Sequence, residues 1–407
     1  MSTTTLKGRL TGTPSIIKPA SIKPASVALG IFIGRFQFFH FGHLDAIIQG
    51  LKSCEFLAVL LGSANQPRTY FNPFSWEERA EMIMSALPEN LRSRVICLPL
   101  EDSTYNNDAW ILNVQEQAEE ARLHFGLDED AQIGLVGHKK DGTSFYLNMF
   151  PLWEEVAVVN TTNLSATPLR EKYFLTSDPL DTSILPEPII NWLERFEIDQ
   201  PKAYEKVKAE YLHVQKYKQG YAIIDTSLVP ASWLKHRWVQ KLLGWLRAKP
   251  QYPPIFQTVD ACVIQAGHVL LVQRKSMPGE GLWALPGGFL EDHERIEDAI
   301  YRELKEETSI EVPEGILRGR TRKIRYFDSV HRSSRGRTIT HCALINLKTP
   351  PRKSGERVRL PRIKGQESEV HRVKWWPLKG PGAISPEFMF EDHYSIIQAL
   401  TANPNDE

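Results

Sequence analysis

The sequence predicts an α/β chain: a parallel, doubly wound sheet in the first half, a helical connector, and an α+β domain at the C-terminal end. Three observations carry this. Short apolar runs alternate with amphipathic segments from Val27 to Asn160. The pattern turns helical and charged from Pro186 to Leu246, and strand-like runs return after Pro250, Pro253 and Pro254. At about 150 residues per domain, 407 residues also make two or three domains the expected number.

In the first half, Ala28 to Ile33, Phe56 to Leu61, Val95 to Leu100, Gln132 to Val136 and Val156 to Val159 read as buried strands. Between them, Leu44, Ile47, Ile48 and Leu51 share one helical face. Ser75 with Glu78 forms a capping box for a helix through Leu87. A sheet of this type binds ligands beyond the carboxyl ends of its strands, which directs attention to Gly34 through His43. The expected domain spans 27–185. The connector spans 186–250 and carries Trp192, Tyr211, Trp233, Trp238 and Trp245. The second domain spans 251–400, opening with strands at Thr258 to Ile264 and Val269 to Gln273 around a Gly267 turn.

Composition limits the partners. Hydrophobic residues at 42% and charged residues at 24% are enough for large cores and unlike a disordered chain. Lys+Arg and Asp+Glu balance at 49 each, so no global field draws nucleic acid or an anionic membrane, and anion binding has to be local. The scattered Cys54, Cys97, Cys262 and Cys342 make neither a zinc knuckle nor a disulfide framework and fit a reducing cytoplasm. No apolar run is long enough to span a bilayer. Residues 1–26, rich in Ser, Thr, Lys and Pro and free of acids, read as a disordered tail, with an organelle transit peptide as the alternative. Residues 401–407 read as a second tail. The oligomeric state, a homo-oligomer included, is left open.

Gly34-Arg35-Phe36-Gln37 leaves the first strand and His40-Phe41-Gly42-His43 enters the first helix. A helix N-terminus offers unpaired N–H groups and partial positive charge, glycine permits close backbone approach, and two imidazoles add donors, so this is an anion site. The plain alternative is a helix-opening turn with two surface histidines. A zinc site lacks an evident third ligand.

The run Gly-Arg-Phe-Gln-x-x-His-x-Gly-His resembles the nucleotidyltransferase superfamily, and within it the nicotinamide-mononucleotide (NMN) adenylyltransferases of archaeal and bacterial type. Ser103 to Trp110 resembles the segment that receives nicotinamide, Gly137-His138-Lys139-Lys140-Asp141 the next family loop, and Ser165 to Arg170 the Ser-x-Thr-x-x-Arg phosphate motif. Phe38 stands where the family usually has Pro, and Lys139 where an acid is common. The resemblance implies a Rossmann-like domain that transfers the adenylyl group of ATP to NMN, giving NAD and pyrophosphate. It implies His40 and His43 on the triphosphate, with Ser165, Thr167 and Arg170 on phosphates. Gly34, Arg35, Phe36, Gln37, Asn107, Gly137 and His138 would join them in binding, and Trp110 would offer a flat face to the pyridinium ring. Mg²⁺ would bridge ATP oxygens.

A second pattern runs Gly-x5-Glu-x7-Arg-Glu-Leu-x-Glu-Glu-x-Ser-Ile, from Gly288 through Glu294, Arg302, Glu303, Glu306 and Glu307 to Ile310. Three carboxylates at i, i+3 and i+4 share one helical stripe and repel unless a cation or water separates them. A hard divalent metal is the natural partner, and a solvated acidic face the plain alternative. The whole pattern resembles the Nudix box, with Ser309 in place of its usual Gly. That implies Glu303, Glu306 and Glu307 as catalytic ligands of Mg²⁺ or Mn²⁺ in hydrolysis of a nucleoside diphosphate derivative. Tyr326-Phe327-Asp328, Arg332, Arg335 to Thr338 and Phe390 to His393 resemble ADP-ribose-type Nudix domains. Most of the basic stretch from Arg318 to Arg337 reads as solvated, with one or two arginines, Arg335 among them, on a diphosphate. RNA binding lacks the aromatic interleaving it needs.

Together the resemblances imply a bifunctional NMN adenylyltransferase/Nudix hydrolase of NAD metabolism. Its partners would be NMN, ATP and ADP-ribose. One alternative makes the second domain a non-hydrolysing ligand sensor, supported by Ser309, or turns it to another nucleoside diphosphate derivative. Another changes the acceptor to phosphopantetheine or flavin, against which Trp110 and its Asn-rich approach argue.

Overall fold

The computed structural model describes residues 27–137, 149–159, 162, 164–220, 235–237, 239, 254–349, 359–366 and 368–402. The tail 1–26, most of the connector beyond residue 220, and the His138 to Asp141 loop lie outside the described residues.

Strands β1 (Val27–Gly34), β2 (Cys54–Leu61), β3 (Val95–Pro99), β4 (Ile133–Gly137) and β5 (Glu154–Ala157) form a parallel sheet in the order β3-β2-β1-β4-β5. Helices α1 (Phe41–Ser53), α2 (Trp76–Ala86), α3 (Glu89–Arg92) and α4 (Asn107–His124) connect them. The apolar runs are nearly continuous because both faces are covered. Leu57, Val59 and Leu61 pack on one side with Ile47 and Met82, while Ala58 and Leu60 pack on the other with Val114, Ala118 and Ala121. Ser75 caps α2 as the sequence indicates, its hydroxyl accepting from the Glu78 N–H while Glu78 accepts from the Ser75 N–H. Winding reverses between β1 and β4, opening the crevice where such folds take ligands.

Helix α5 (Ala166–Leu175) is followed by α6 (Glu187–Asp199) and α7 (Pro201–Gly220). The expected connector is not a separate piece over this stretch. Ile189, Trp192, Leu193, Phe196, Tyr204, Val207 and Tyr211 belong to the first domain's own core, with Phe74 and Phe174. Trp192 and Tyr211, two of the aromatic residues that marked the segment, are large groups that need burial, and the first domain's core supplies it; Trp233, Trp238 and Trp245 lie outside the described residues.

In the second domain, β6 (Phe256–Gln265), β7 (His268–Arg274), β8 (Trp283–Ala284), β9 (Gly287–Phe289), β10 (Thr321–Phe327), β11 (Thr338–Asn346) and β12 (Val370–Pro377) form a mixed sheet. Its order is β10-β11-β6-β7-β12, with β8 on β7 and β9 on β6. The β11–β6 pair is parallel and the others antiparallel. The β6–β7 turn uses Ala266 at φ 48° and Gly267 at φ 72°. Helix α8 (Ile296–Thr308) covers one face through Ala299, Ile300 and Leu304, and α9 (Glu314–Arg320) adds Leu317. Helix α10 (His393–Thr401) covers the other through Ile396, Ile397 and Leu400.

The two domains touch through buried polar groups. Glu210 of α7 accepts the Tyr70 N–H on one oxygen (2.7 Å) and the Gly279 N–H on the other (3.0 Å). The Tyr105 ring meets Phe327 edge-on at 4.8 Å.

Candidate active sites

The first site is built where β1 ends. Phe36 adopts φ 49°, and its ring packs against Phe32 and His43. A left-handed non-glycine residue is costly and tends to sit where geometry serves a ligand. His40 takes the N-cap position of α1 without a side-chain capping bond, and its ring stacks on His43 with centroids 3.7 Å apart and planes 18° off parallel. Gly42 keeps this corner open: a Cβ there would lie 2.5 Å from Thr162 Oγ1 and 3.1 Å from the His40 ring. Both imidazoles thus stand at the positive end of α1 beside the β1–β4 crevice.

Several residues expected on substrate are engaged elsewhere. The Gln37 side chain is buried, donating to the Phe74 carbonyl (2.8 Å) and accepting the Phe74 N–H (3.1 Å). Arg170 is buried too, donating to the Gln37 carbonyl, to Thr167 Oγ1 (3.2 Å) and to the Tyr211 hydroxyl (3.0 Å). Five fixed N–H donors suit it to such bridging, and it ties the start of α5 to the Gln37 turn. Ser165 is the N-cap of α5 and makes no capping bond with its side chain, and Thr167 is exposed on the first turn. Trp110 is half-buried on α4, 6.2 Å from Phe150. Asn107 is exposed at the start of α4, whose cap is Asn106, accepting from the Ala109 N–H. Gly137 ends β4, and His138 lies outside the described residues. Arg35 lines a cleft of about 290 Å³ between the domains, with Ser63, Asp102 and Thr104 on its own side and Arg332 and Asp392 opposite.

Arg79 is a structural support the sequence did not suggest. Buried on α2, it donates to the carbonyls of Arg35 (2.6 Å), Gly62 (2.7 Å) and Ser75 (3.1 Å), holding the loops after β1 and β2 together. Burial lowers its pKa to about 10, so it remains a cation at neutral pH.

The second site is a cavity of about 600 Å³. Glu303, Glu306 and Glu307 of α8 line it together with Arg274, Arg302, Arg332 and Arg335, and with Phe289 and Phe390. Of the basic stretch, Arg332 and Arg335 reach this cavity, whereas Arg318 is held by Glu297, Asp298 and Glu314. Phe390 carries the Arg274 guanidinium 4.0 Å above its ring. Asp260, which the sequence left unmarked, is buried in the same lining and bonded to Thr340, and burial pushes its carboxyl up to about 6.

Among the described residues, no three carboxylate, imidazole or thiolate groups are gathered into a metal-holding cluster. The expected repulsion on the stripe is relieved by Arg302, which donates to Glu303 (2.9 Å) and Glu306 (3.0 Å) while its other nitrogens grip Glu294 (2.6 and 2.9 Å). Glu307 accepts the Gly287 N–H (2.9 Å), and burial, with Glu303 adding, pushes its carboxyl up to about 8. Hard oxygen donors sharing one cavity, one of them costly to ionise unaided, fit a divalent cation. Ser309 ends α8 at φ 40° and ψ 38°, the left-handed conformation that favours glycine.

A doubly wound sheet with a histidine pair at its crevice, followed by a sheet bearing a carboxylate helix, defines a two-domain nucleotide enzyme. Residues 31–128 match the cytidylyltransferase-like family and residues 255–400 the NUDIX domain family. A bifunctional NMN adenylyltransferase/ADP ribose pyrophosphatase from Francisella tularensis, solved with AMP and a Mn ion, is 32% identical. It superposes with a TM-score of 0.73 over 92% of this chain and 99% of its own. A nicotinamide/nicotinic acid mononucleotide adenylyltransferase from Acinetobacter baylyi is 33% identical over 182 residues, 44% of this chain and 92% of that protein. An ADP-ribose pyrophosphatase from Methanocaldococcus jannaschii is 34% identical over 98 residues, 24% of this chain and 54% of that protein. The chain belongs to the family of bifunctional NMN adenylyltransferase/ADP-ribose pyrophosphatases.

Proposed function

We propose that the chain catalyses two reactions of NAD metabolism at two separate sites. In the first, a phosphate oxygen of NMN attacks the α-phosphorus of ATP; the new P–O bond gives NAD, and the bond to the β-phosphate breaks to release pyrophosphate. No protein nucleophile is needed, so the residues position and stabilise. His40, His43 and the N–H groups opening α1 face the charge that develops on the triphosphate. Ser165 and Thr167 hold phosphate at the start of α5. Arg170 and Gln37 fix the loops that carry these groups, and Trp110 stacks on the pyridinium ring.

In the second, water adds to one phosphorus of ADP-ribose and the P–O–P bridge breaks, giving AMP and ribose 5-phosphate. Glu303, Glu306 and Glu307 would hold Mg²⁺ or Mn²⁺, which supplies charge neutralisation and a more acidic water when bound. Arg274, Arg332 and Arg335 offset the diphosphate charge, and Phe289 and Phe390 supply apolar faces.

The observation that carries the reading is the cavity lined by Glu303, Glu306 and Glu307 together with Arg274, Arg302, Arg332 and Arg335, in a chain that also stacks two histidines at the start of α1. Four free cysteines support a reducing cytoplasm as the compartment of both reactions. The test is chromatographic. ATP with NMN and Mg²⁺ yields NAD and pyrophosphate, and ADP-ribose with Mn²⁺ yields AMP. ADP-ribose that binds and stays intact would replace hydrolysis with the sensor reading.

A further inference from the structure

Arg332 borders two spaces, the glutamate-lined cavity of the second domain and the cleft between the domains. What fixes the Arg332 guanidinium is Asp392, which takes Nε on Oδ2 (3.0 Å) and Nη2 on Oδ1 (2.9 Å), both side chains being buried. Oδ2 also accepts the hydroxyl of Tyr105, a residue of the other domain.

We propose that Tyr105 is a positioning residue for the second domain's reaction, its hydroxyl holding Asp392 so that Arg332 stays turned toward the substrate diphosphate. An aspartate side chain turns about two bonds, and a third hydrogen bond from a separate element restricts the carboxylate further. The Tyr105 ring is itself fixed, edge-on to Phe327 at 4.8 Å, and Phe327 ends the strand from which the Arg332 loop departs. The backbone on both sides is held by the Glu210 bridge between Tyr70 and Gly279. Burial, then the Asp392 charge, raises the Tyr105 pKa, so the hydroxyl keeps the proton it donates.

This inference rests on the second cavity being the ADP-ribose site. Tyr105→Phe in the full chain removes the donor and keeps the ring. With Mn²⁺, KM for ADP-ribose should rise about tenfold, the loss expected for one bond to a charged group, while kcat changes little. Asp392→Asn should raise KM at least as far without touching Tyr105, and adding Tyr105→Phe to it should cost nothing more. Equal KM in wild type and Tyr105→Phe overturns the proposal, as does a fully additive double variant or a fall in kcat alone. Calorimetric titration with ADP-ribose separates this from the hydrolytic reading. If wild type binds without cleaving, and Tyr105→Phe binds about tenfold more weakly, hydrolysis falls and the role of Tyr105 stands.

Discussion

Glu303 lies so close over Gly288 that a Cβ at position 288 would collide with its carboxylate. Glycine here is therefore a condition on where the Glu303 carboxylate, the proposed metal ligand, sits. Gly288→Ala should push the Glu303 carboxylate aside and lower kcat for ADP-ribose about 10- to 100-fold, as a misplacement near 1 Å can. Since the colliding group is the end of a flexible side chain, the thermal midpoint should hardly move. Unchanged kcat in the folded variant would remove Glu303 from the chemistry.

The Glu307 carboxyl, pushed up to about 8 from an ordinary 4.5, sets a pH dependence. Between those values the folded chain keeps a proton that the unfolded chain has lost, so metal-free stability should fall as pH rises through the window. Metal has to displace that proton, so apparent Mn²⁺ affinity should rise toward pH 8. Unfolding scans in chelator and in Mn²⁺ across this range measure both. A chelated midpoint that climbs with pH between these values would contradict the assignment.

At Ser309, a serine holds φ 40° at the end of the carboxylate helix. Ser309→Gly should remove left-handed strain of about 1–2 kcal/mol and lose part of it to greater freedom when unfolded, for a net gain of about 0.5–1 kcal/mol. A higher melting temperature with unchanged hydrolysis is the expected result. A lower one would mean that Ser309 makes a stabilising interaction of its own.

His43→Ala should lower kcat for NAD synthesis by about 2–4 kcal/mol of transition-state stabilisation, with a smaller change in KM for ATP. Phe39 also stacks on His43 at 5.7 Å, so His43→Gln, which keeps bulk and a donor, controls for packing. Near-normal kcat in a folded His43→Ala chain would take the imidazole out of the reaction.

Much of this was legible in the sequence, for definite reasons. Strands buried on both faces must be apolar throughout, so β1 to β4 stood out as runs, and Ser75 and Glu78 announced α2 because capping is local. The left-handed demand at Ser309 was foreseeable from one departure in a known pattern. Gln37 and Arg170 were legible as important but not as internal struts, because their partners Phe74 and Tyr211 lie tens of residues away. Arg79, Asp260 and the Tyr105–Asp392 contact gave no signal, since each acts across sequence distances that no periodicity records. The connector misled through its charge, which hid an apolar face shared with the first core.

Glu210 closes two N–H groups from different domains within one carboxylate. Burial raises its pKa, opposed by the Tyr70 and Gly279 N–H bonds and by Lys206, with Glu391 adding. Were the chain cut and the halves mixed, Glu210 would be solvated and ionise as an ordinary acid, so reassembly would take up a proton. The halves should therefore cling more tightly as the solution is acidified through the range between the free and docked values, and the seam of this two-part enzyme is, in effect, weakly acid-tightened.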